Sequence, residues 1–236
     1  MGLSTLVRLS GMCFIVHMAP TKDESTVPKL DLRRKYKDLY GPSSKTVTVV
    51  DVPELQFIML DGVIEAGVGP GDSEPFQDAM GAMYGVAYGL KFMSKLRQKD
   101  PLDFTVMALE GLWSAESGEF EFGKVEPWLY TLLMMQPGHI SQDMFEQAVA
   151  EAGAKRPNPA LDRLRMERWR EGPAIQIMHI GPYSDEPGTI EMMDAFAEEH
   201  GHRLHGRHHE IYLGDPRRAK PENLKTILRH PINQSE

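Results

Sequence analysis

The segment His208-His209-Glu210-Ile211-Tyr212-Leu213 decides how the fold and the function of this chain are interpreted. Its β-branched and aromatic residues, bounded by Gly206 and by Gly214-Asp215-Pro216, predict a short strand. Alternate residues of a strand share a face, so Glu210 is expected beside Tyr212. A carboxylate next to a phenol costs free energy when buried and is ordinary when exposed. The segment is therefore either part of a functional site or a solvated strand.

Composition places the chain among ordinary globular proteins. It has 236 residues, of which 41% are hydrophobic and 25% charged, enough for one domain or two small ones with a normal core. The net charge is −8, and no basic patch interleaved with aromatic residues is present, so nucleic acid is not expected as a partner. A single cysteine, Cys13, excludes an internal disulfide framework and a cysteine-rich metal site. We expect a cytoplasmic protein.

The N-terminal part, residues 1–45, is predicted to be a flexible tail that contributes no core. Its apolar run, Met12 to Val16, is followed by His17 and is short for the hydrophobic part of a signal peptide, so an upstream extension of a cytosolic protein is favoured over an export signal. A membrane span needs about 20 apolar residues. No membrane partner is therefore expected.

An internal repeat organises the predicted domain, residues 46–232. A strand, a Gly-Pro turn, an acidic segment with Glu-Pro, a helix and a glutamate-bearing strand occur twice, in halves at about 46–116 and 173–232 that are joined by a strand and helices. The pattern predicts an α+β fold of two pseudo-symmetric β-α-β-β units, whose antiparallel sheets form a ligand cleft. Glu110 and Glu210 occupy corresponding positions, so we expect their side chains to approach each other across this cleft.

Aromatic residues are the other candidates for the cleft. For Trp113, Trp128, Tyr183 and Tyr212, core packing and a place in the cleft are equally consistent with the sequence. Tyr84 and Tyr88 recur every fourth residue with Met80 and Phe92 along a predicted helix, so core packing is favoured for these two tyrosines.

Five segments, in the same order along the chain, resemble the GyrI-like small-molecule-binding family. These are residues 83–92, 108–113, 128–137, 179–187 and 209–216 with 224–229. The resemblance implies two β-α-β-β units around a cleft lined by aromatic and acidic residues. Family members include drug-binding effector domains of regulators. This chain is most similar to the stand-alone members. Some of these resemble cyclopropanoid hydrolases, which open the reactive ring of DNA-alkylating natural products with water.

The resemblance implies a catalytic role for Glu110 and Glu210. It also implies ligand-binding roles for Trp113, Trp128, Tyr183 and Tyr212. Tyr84 and Tyr88 are further candidates for ligand binding. Tyr130 stands where a tryptophan is commoner in the family, so the pocket is expected to differ in shape. The histidines between His200 and His209 lack the cysteine or carboxylate pattern of a metal site, and no phosphate loop or dinucleotide fingerprint is present. We expect neither metal nor cofactor.

Two functions are consistent with these residues. In the first, a glutamate activates water to hydrolyse a reactive electrophile, which would make the protein a detoxifying enzyme. In the second, the aromatic residues and carboxylates hold a lipophilic cation without chemistry, as in a drug sensor or sequestering protein. The sequence leaves this choice open, and it does not predict the oligomeric state.

Overall fold

An antiparallel sheet forms the centre of the computed structural model, which describes residues 27–115, 117, 125–215 and 218–234. The strands are β1 (Lys29–Leu30), β2 (Thr48–Ile64), β3 (Asp103–Phe104), β4 (Leu109–Ala115), β5 (Trp128–Gln136), β6 (Arg165–Ile180), β7 (His202–Leu204), β8 (His208–Tyr212) and β9 (Lys225–Gln234). The helices are α1 (Leu32–Lys35), α2 (Lys37–Tyr40), α3 (Glu74–Leu96), α4 (Gln142–Lys155) and α5 (Glu186–Glu199). Short 3-10 turns cover Leu161–Arg163, Tyr183–Asp185 and Pro221–Asn223.

The main sheet has the strand order β6-β2-β5-β4-β8-β9-β7, and β6 also pairs with β9. The ladder of strands therefore closes on itself and has an inner and an outer face. The fold is mixed α+β with an antiparallel sheet, as the sequence predicts.

Helices α3 and α5 cover two separate areas of the outer face. Ser73 caps α3 by accepting a hydrogen bond from the backbone N–H of Phe76, whose ring then packs on the outer-face side chains Trp113 and Tyr130. Met193 of α5 packs over β6 and β9 in a second apolar cluster. In the strand order, β4 and β8 lie between the areas that the two helices cover.

The segment before β2 belongs to the fold, which differs from the predicted flexible tail. Leu32, Leu39 and Tyr40 are buried in the main core, and β1 pairs in parallel with β3. A tail was predicted because the segment carries many charges. Its few apolar side chains nevertheless pack into the core. Residues 1–26 lie outside the described part of the chain. Within the described part, no helix is long and apolar enough to cross a membrane.

Candidate functional site

The floor of the candidate site is formed by the outer faces of β4 and β8. These strands pair antiparallel with Gly111 opposite Glu210 and Trp113 opposite His208. Cross-strand partners project to the same face, so Trp113, Glu210 and His208 share the outer face. The strand that the sequence predicted around Glu210 is thus present, and Glu210 is buried, with 7% of its surface exposed.

Glu110 does not share this site, which corrects the expectation that the two glutamates face one cleft. The register pairs Glu110 with Ile211, one position out of step with the pair of Gly111 and Glu210. Because alternate residues project to opposite faces, Glu110 points inward while Glu210 points outward. The prediction compared positions along each half of the chain and could not include this one-residue offset between paired strands.

Glu186 occupies the place that was expected for Glu110. It is the first residue of α5, it is fully buried, and neither carboxylate oxygen has a hydrogen-bond partner among the described residues. The buried Thr226 hydroxyl lies beside it without a hydrogen bond of normal geometry within the same ranges, and its proximity lowers the pKa of Glu186 in part. Burial, followed by repulsion from Glu210, raises the pKa of Glu186 to about 9. Glu186 is therefore protonated at neutral pH and can donate a proton.

Glu210 has two polar neighbours on its own strand. The Tyr212 phenol lies beside the Glu210 carboxylate on the same face of β8, and His208 Nε2 lies 3.4 Å from Glu210 Oε1. Burial and then the charge of Glu210 raise the pKa of Tyr212 well above its usual value. Tyr212 thus stays a phenol that can donate a hydrogen bond. The indole N–H of Trp113 donates to the Tyr212 oxygen over 2.8 Å.

Tyr183 lies where the site approaches the surface. Its ring packs edge-on against Tyr212 at 6.0 Å between centroids, and 36% of its surface is exposed. Burial raises the pKa of Tyr183 to about 12, with further contributions from Glu210 and Glu186, so the phenol lies close to both carboxylates. Tyr84 of α3 makes a weaker contribution in the same direction.

Tyr84 and Tyr88 are exposed, so the preference for core packing was wrong. Their exposed fractions are 38% and 49%, and Phe92 on the same helical stripe is 51% exposed. The buried face of α3 instead consists mainly of smaller side chains, including Ala82, Val86 and Ala87, that pack against the sheet and α4. An i, i+4 spacing finds a stripe on a helix but does not say which stripe faces the core.

The remaining predicted aromatic residues form a packed cluster at one end of the floor. Trp113 is 4% exposed and contacts Trp128, Tyr130 and Phe76, with ring centroids 6.1, 5.9 and 5.8 Å away. Trp128 is partly buried. These contacts cover the Trp113 ring on several sides, so this residue is part of the support of the site rather than an open stacking surface.

A separate polar network occupies the inner face. His209 contacts Glu171 through Nδ1 (2.9 Å) and Glu110 through Nε2 (3.1 Å), while Arg229 donates to Glu171 over 3.1 Å. These four side chains are 2% exposed or less. Two carboxylates and two cations balance in charge, and a histidine between two carboxylate acceptors donates through both nitrogens as imidazolium. Tyr40 of α2 completes the network by donating to Glu110 over 2.7 Å.

The pKa values in this network follow from the ion pairs. Burial would lower the pKa of His209, but attraction to Glu171 and the hydrogen bonds to Glu110 and Glu171 raise it. Burial would raise the pKa of Glu171, yet His209 and Arg229 lower it to about 2. The network is closed to solvent and connects the sheet to the N-terminal segment, so its arrangement is structural.

Two surface depressions lie away from this site. One, of about 500 Å³, is lined by residues of α4 and the following turn, and another, of about 460 Å³, lies between α2 and β2. Among the described residues, the first has no basic or aromatic lining residue. The second is lined by Tyr36 and by charged side chains that are exposed, namely Lys35, Lys37, Asp38 and Asp51. No group of three or more His, Cys, Asp or Glu residues within the described ranges is arranged to hold a metal ion.

Glu186 was missed because an acidic residue followed by proline is an ordinary helix start. The repeat contained the relevant signal, since Glu74 and Glu186 are each the first residue of a helix. Glu74 is exposed, whereas Glu186 is fully buried. The local sequences of the two residues are alike, and only the packing of their helices makes Glu74 a solvated charge and Glu186 a buried acid.

Comparison with known proteins defines the class. The GyrI-like small molecule binding domain matches residues 140–233. An uncharacterized conserved protein from Listeria innocua is 36% identical, with a TM-score of 0.78, over 86% of this chain and 100% of that one. Two structures of Listeria innocua hydrolases are 35% and 36% identical, with TM-scores of 0.74 and 0.76, over 86% and 87% of this chain and 100% of theirs. No protein with a curated description matches significantly.

These matches identify the chain as a small-molecule-binding protein of the α+β class. It belongs to the GyrI-like family, as its sequence predicted.

Proposed function

We propose that the protein binds a small hydrophobic or cationic molecule at the aromatic and acidic site on the outer face and hydrolyses reactive, cyclopropanoid-type electrophiles there. One observation carries this proposal: two adjacent buried carboxylates, Glu186 and Glu210, of which Glu186 holds its proton to a pKa of about 9. A pair of carboxylates with separated pKa values supplies an acid and a base at the same pH. The two related Listeria innocua hydrolases support a hydrolytic function.

The proposed reaction adds one water across a strained ring. Glu210 accepts a proton from a water molecule while the water oxygen forms a bond to a ring carbon. The carbon–carbon bond of the ring breaks, and its electron pair moves onto a conjugated carbonyl oxygen of the substrate. Glu186 protonates that oxygen. Transfer of the proton from Glu210 back to Glu186 restores the starting state, so atoms and charge balance.

Aromatic side chains would hold the flat part of such a substrate. Tyr84, Tyr88 and Tyr183 are partly exposed, and Tyr183 lies beside both carboxylates. Their rings offer the faces and edges that aromatic substrates pack against. We assign the ligand-binding role of the outer-face aromatics to these three residues, with Tyr212 in contact with Tyr183 behind them. Trp113 and Trp128 support the floor.

The domain would comprise residues 46–232 in two β-α-β-β halves related by a pseudo-twofold axis, with the packed segment before β2 added to them. Three contacts support this arrangement. The central strands of the two halves pair with each other (β4 with β8), the first strands do so as well (β2 with β6), and α3 and α5 pack on the same face. Within the pairing of β4 with β8, Glu110 and Glu210 lie on either side of the expected axis.

The proposal is tested by incubating the purified protein with a cyclopropane-bearing DNA alkylator and following the ring-opened, water-added product by mass spectrometry. We expect turnover by the wild type and none by Glu186→Gln or Glu210→Gln. Glu74→Gln is the matched control, because it changes the first residue of the other helix at an exposed position. Stoichiometric binding without product would refute hydrolysis and favour a sequestering or sensing protein.

A further inference from the structure

A hydrogen-bonded chain of fixed direction ends at Glu210. The indole N–H of Trp113 can only donate, so the Tyr212 oxygen, 2.8 Å away, accepts. The Tyr212 hydroxyl proton is then free for a second bond, and the Glu210 carboxylate, beside it on the same face of β8, is the acceptor to which we assign that proton. A carboxylate accepts hydrogen bonds, so the direction runs from Trp113 through Tyr212 to Glu210.

We propose that Trp113 is a positioning residue, which acts through Tyr212 to orient the Glu210 carboxylate as the base of the reaction. This role rests on the proposed hydrolysis. With one lone pair held by Tyr212, the remaining lone pairs of Glu210 are directed towards the site, where a water molecule would be deprotonated. Trp113 itself touches no reacting atom.

The local packing is built around this bond. A Cβ atom at Gly111 would lie 2.7 Å from Trp113 Nε1 and 3.2 Å from the Tyr212 hydroxyl. Any larger residue at position 111 would therefore displace one of the two partners. On its other sides the Trp113 ring contacts Phe76, Trp128 and Tyr130, which leaves the indole little freedom to turn.

The burial of Trp113 favours a positioning role over the ligand-stacking role that the family resemblance implied for it. Only 4% of its surface is exposed, compared with 36% for Tyr183. A residue that stacks on ligands needs an open ring face. A residue that orients a neighbour needs a fixed donor, and Trp113 has one.

A double-mutant cycle tests the coupling. We expect Tyr212→Phe to lower kcat for ring opening at least about tenfold, as expected for losing a hydrogen bond to a charged group. Trp113→Phe, which loses a hydrogen bond to the neutral phenol, should lower kcat about threefold or more. The double variant should be no slower than Tyr212→Phe, because both changes break the same chain. Trp169→Phe removes an indole that packs against His209 on the inner face and should leave kcat unchanged. If the effects of Trp113→Phe and Tyr212→Phe on kcat multiply in the double variant, the two residues act independently and the proposal is overturned.

The pH dependence gives a readout that simple loss of packing would not move. Glu210 is faced by His208 and Tyr212 from its own strand, by Glu186 from α5 and by Tyr183. Tyr212→Phe removes a donor to the carboxylate, which is then protonated more readily, so the acidic limb of the kcat/KM profile should move to higher pH. Trp113→Phe removes the support of that donor and should move the limb in the same direction by a smaller amount. An unmoved acidic limb would contradict the positioning role.

A second measurement does not need activity. The chain has three tryptophans, so three indole N–H resonances can be followed by NMR through a pH titration and assigned with single variants. We expect the Trp113 resonance to shift with Glu210 titration and to lose that response in Glu210→Gln and in Tyr212→Phe. If the Trp113 resonance shows the same pH-dependent shift in both variants as in the wild type, the hydrogen-bonded chain from Trp113 to Glu210 is refuted. If the wild type opens no ring while this response is present, the proposed function fails and the hydrogen-bonded chain stands.

Discussion

Glu110 and Glu210 project from opposite faces of the same sheet, although they lie on paired strands. Glu210 is opposite Gly111, and Glu110 is opposite Ile211, so the two glutamates differ by one register position. That offset separates their roles. Glu110 joins a closed inner network with His209 and Tyr40, whereas Glu210 lies beside Glu186 on the outer face.

Opposite outcomes are expected for substitution of the two glutamates. Glu110→Gln leaves the buried His209 imidazolium with one carboxylate partner, and removing one member of a buried ion network costs about 3 kcal/mol. Glu210→Gln should abolish ring opening with little loss of stability. Urea unfolding of both variants, with turnover measured below the unfolding transition, checks this. A stable Glu110→Gln protein without activity would assign Glu110 to the chemistry after all.

Stability should be greatest in a window of pH set by the inner network. Glu171 has a lowered pKa of about 2, so its contribution is complete above about pH 4.5, its unfolded value, and is lost as the pH falls towards 2. His209 has a raised pKa, so its contribution is complete below about pH 6.5 and is lost as the pH rises through the raised value. Thermal unfolding from pH 2 to 10 measures both limbs. In Arg229→Gln the pKa of Glu171 should lie closer to its unfolded value, so stability at low pH should be lost over a narrower range of pH. An unchanged range would argue against the ion pair between Arg229 and Glu171.

Glu186 should lower the stability of the fold at neutral pH. Its pKa of about 9 in the folded protein exceeds the unfolded value near 4.5, so the folded state must retain a proton that the unfolded chain releases. Glu186→Gln removes this penalty and should stabilise the protein by about 3 kcal/mol at pH 7, less at pH 5. Denaturant unfolding at both pH values checks the trend. Exposed Glu74 provides the control, since Glu74→Gln should give no pH-dependent gain.

Two glycine substitutions should act in opposite directions. Gly111→Ala places a methyl group against Trp113 and Tyr212, which should cost about 1–3 kcal/mol and lower kcat by separating the two side chains. Gly85→Ala adds a methyl group to α3 in open space and should stabilise the helix by about 0.5–1 kcal/mol. Melting temperatures and turnover of the two variants provide the comparison. Equal turnover in both would show that the Gly111 contact is unimportant.

Sequence patterns predicted the α+β class and the strand around Glu210. They failed wherever a long-range pairing decides the outcome. The register of β4 against β8 turns Glu110 inward, and no local pattern contains that register. Tyr84 and Tyr88 are a second example. The sequence shows that they lie on one stripe of α3, but whether that stripe is exposed depends on where α4 packs. Glu186 has the local sequence of a common helix start, and only tertiary burial makes it an acid.

The central claim is that Glu186 and Glu210 form an acid and a base at one site. Site-resolved NMR titration of the glutamate side-chain carboxyl carbons, assigned with Glu186→Gln, tests it most directly. Glu186 should be protonated at pH 7 and titrate near 9, and Glu210→Gln should lower that pKa because the neighbouring charge is removed. A Glu186 that titrates near 4.5 and does not respond to Glu210→Gln would contradict the account.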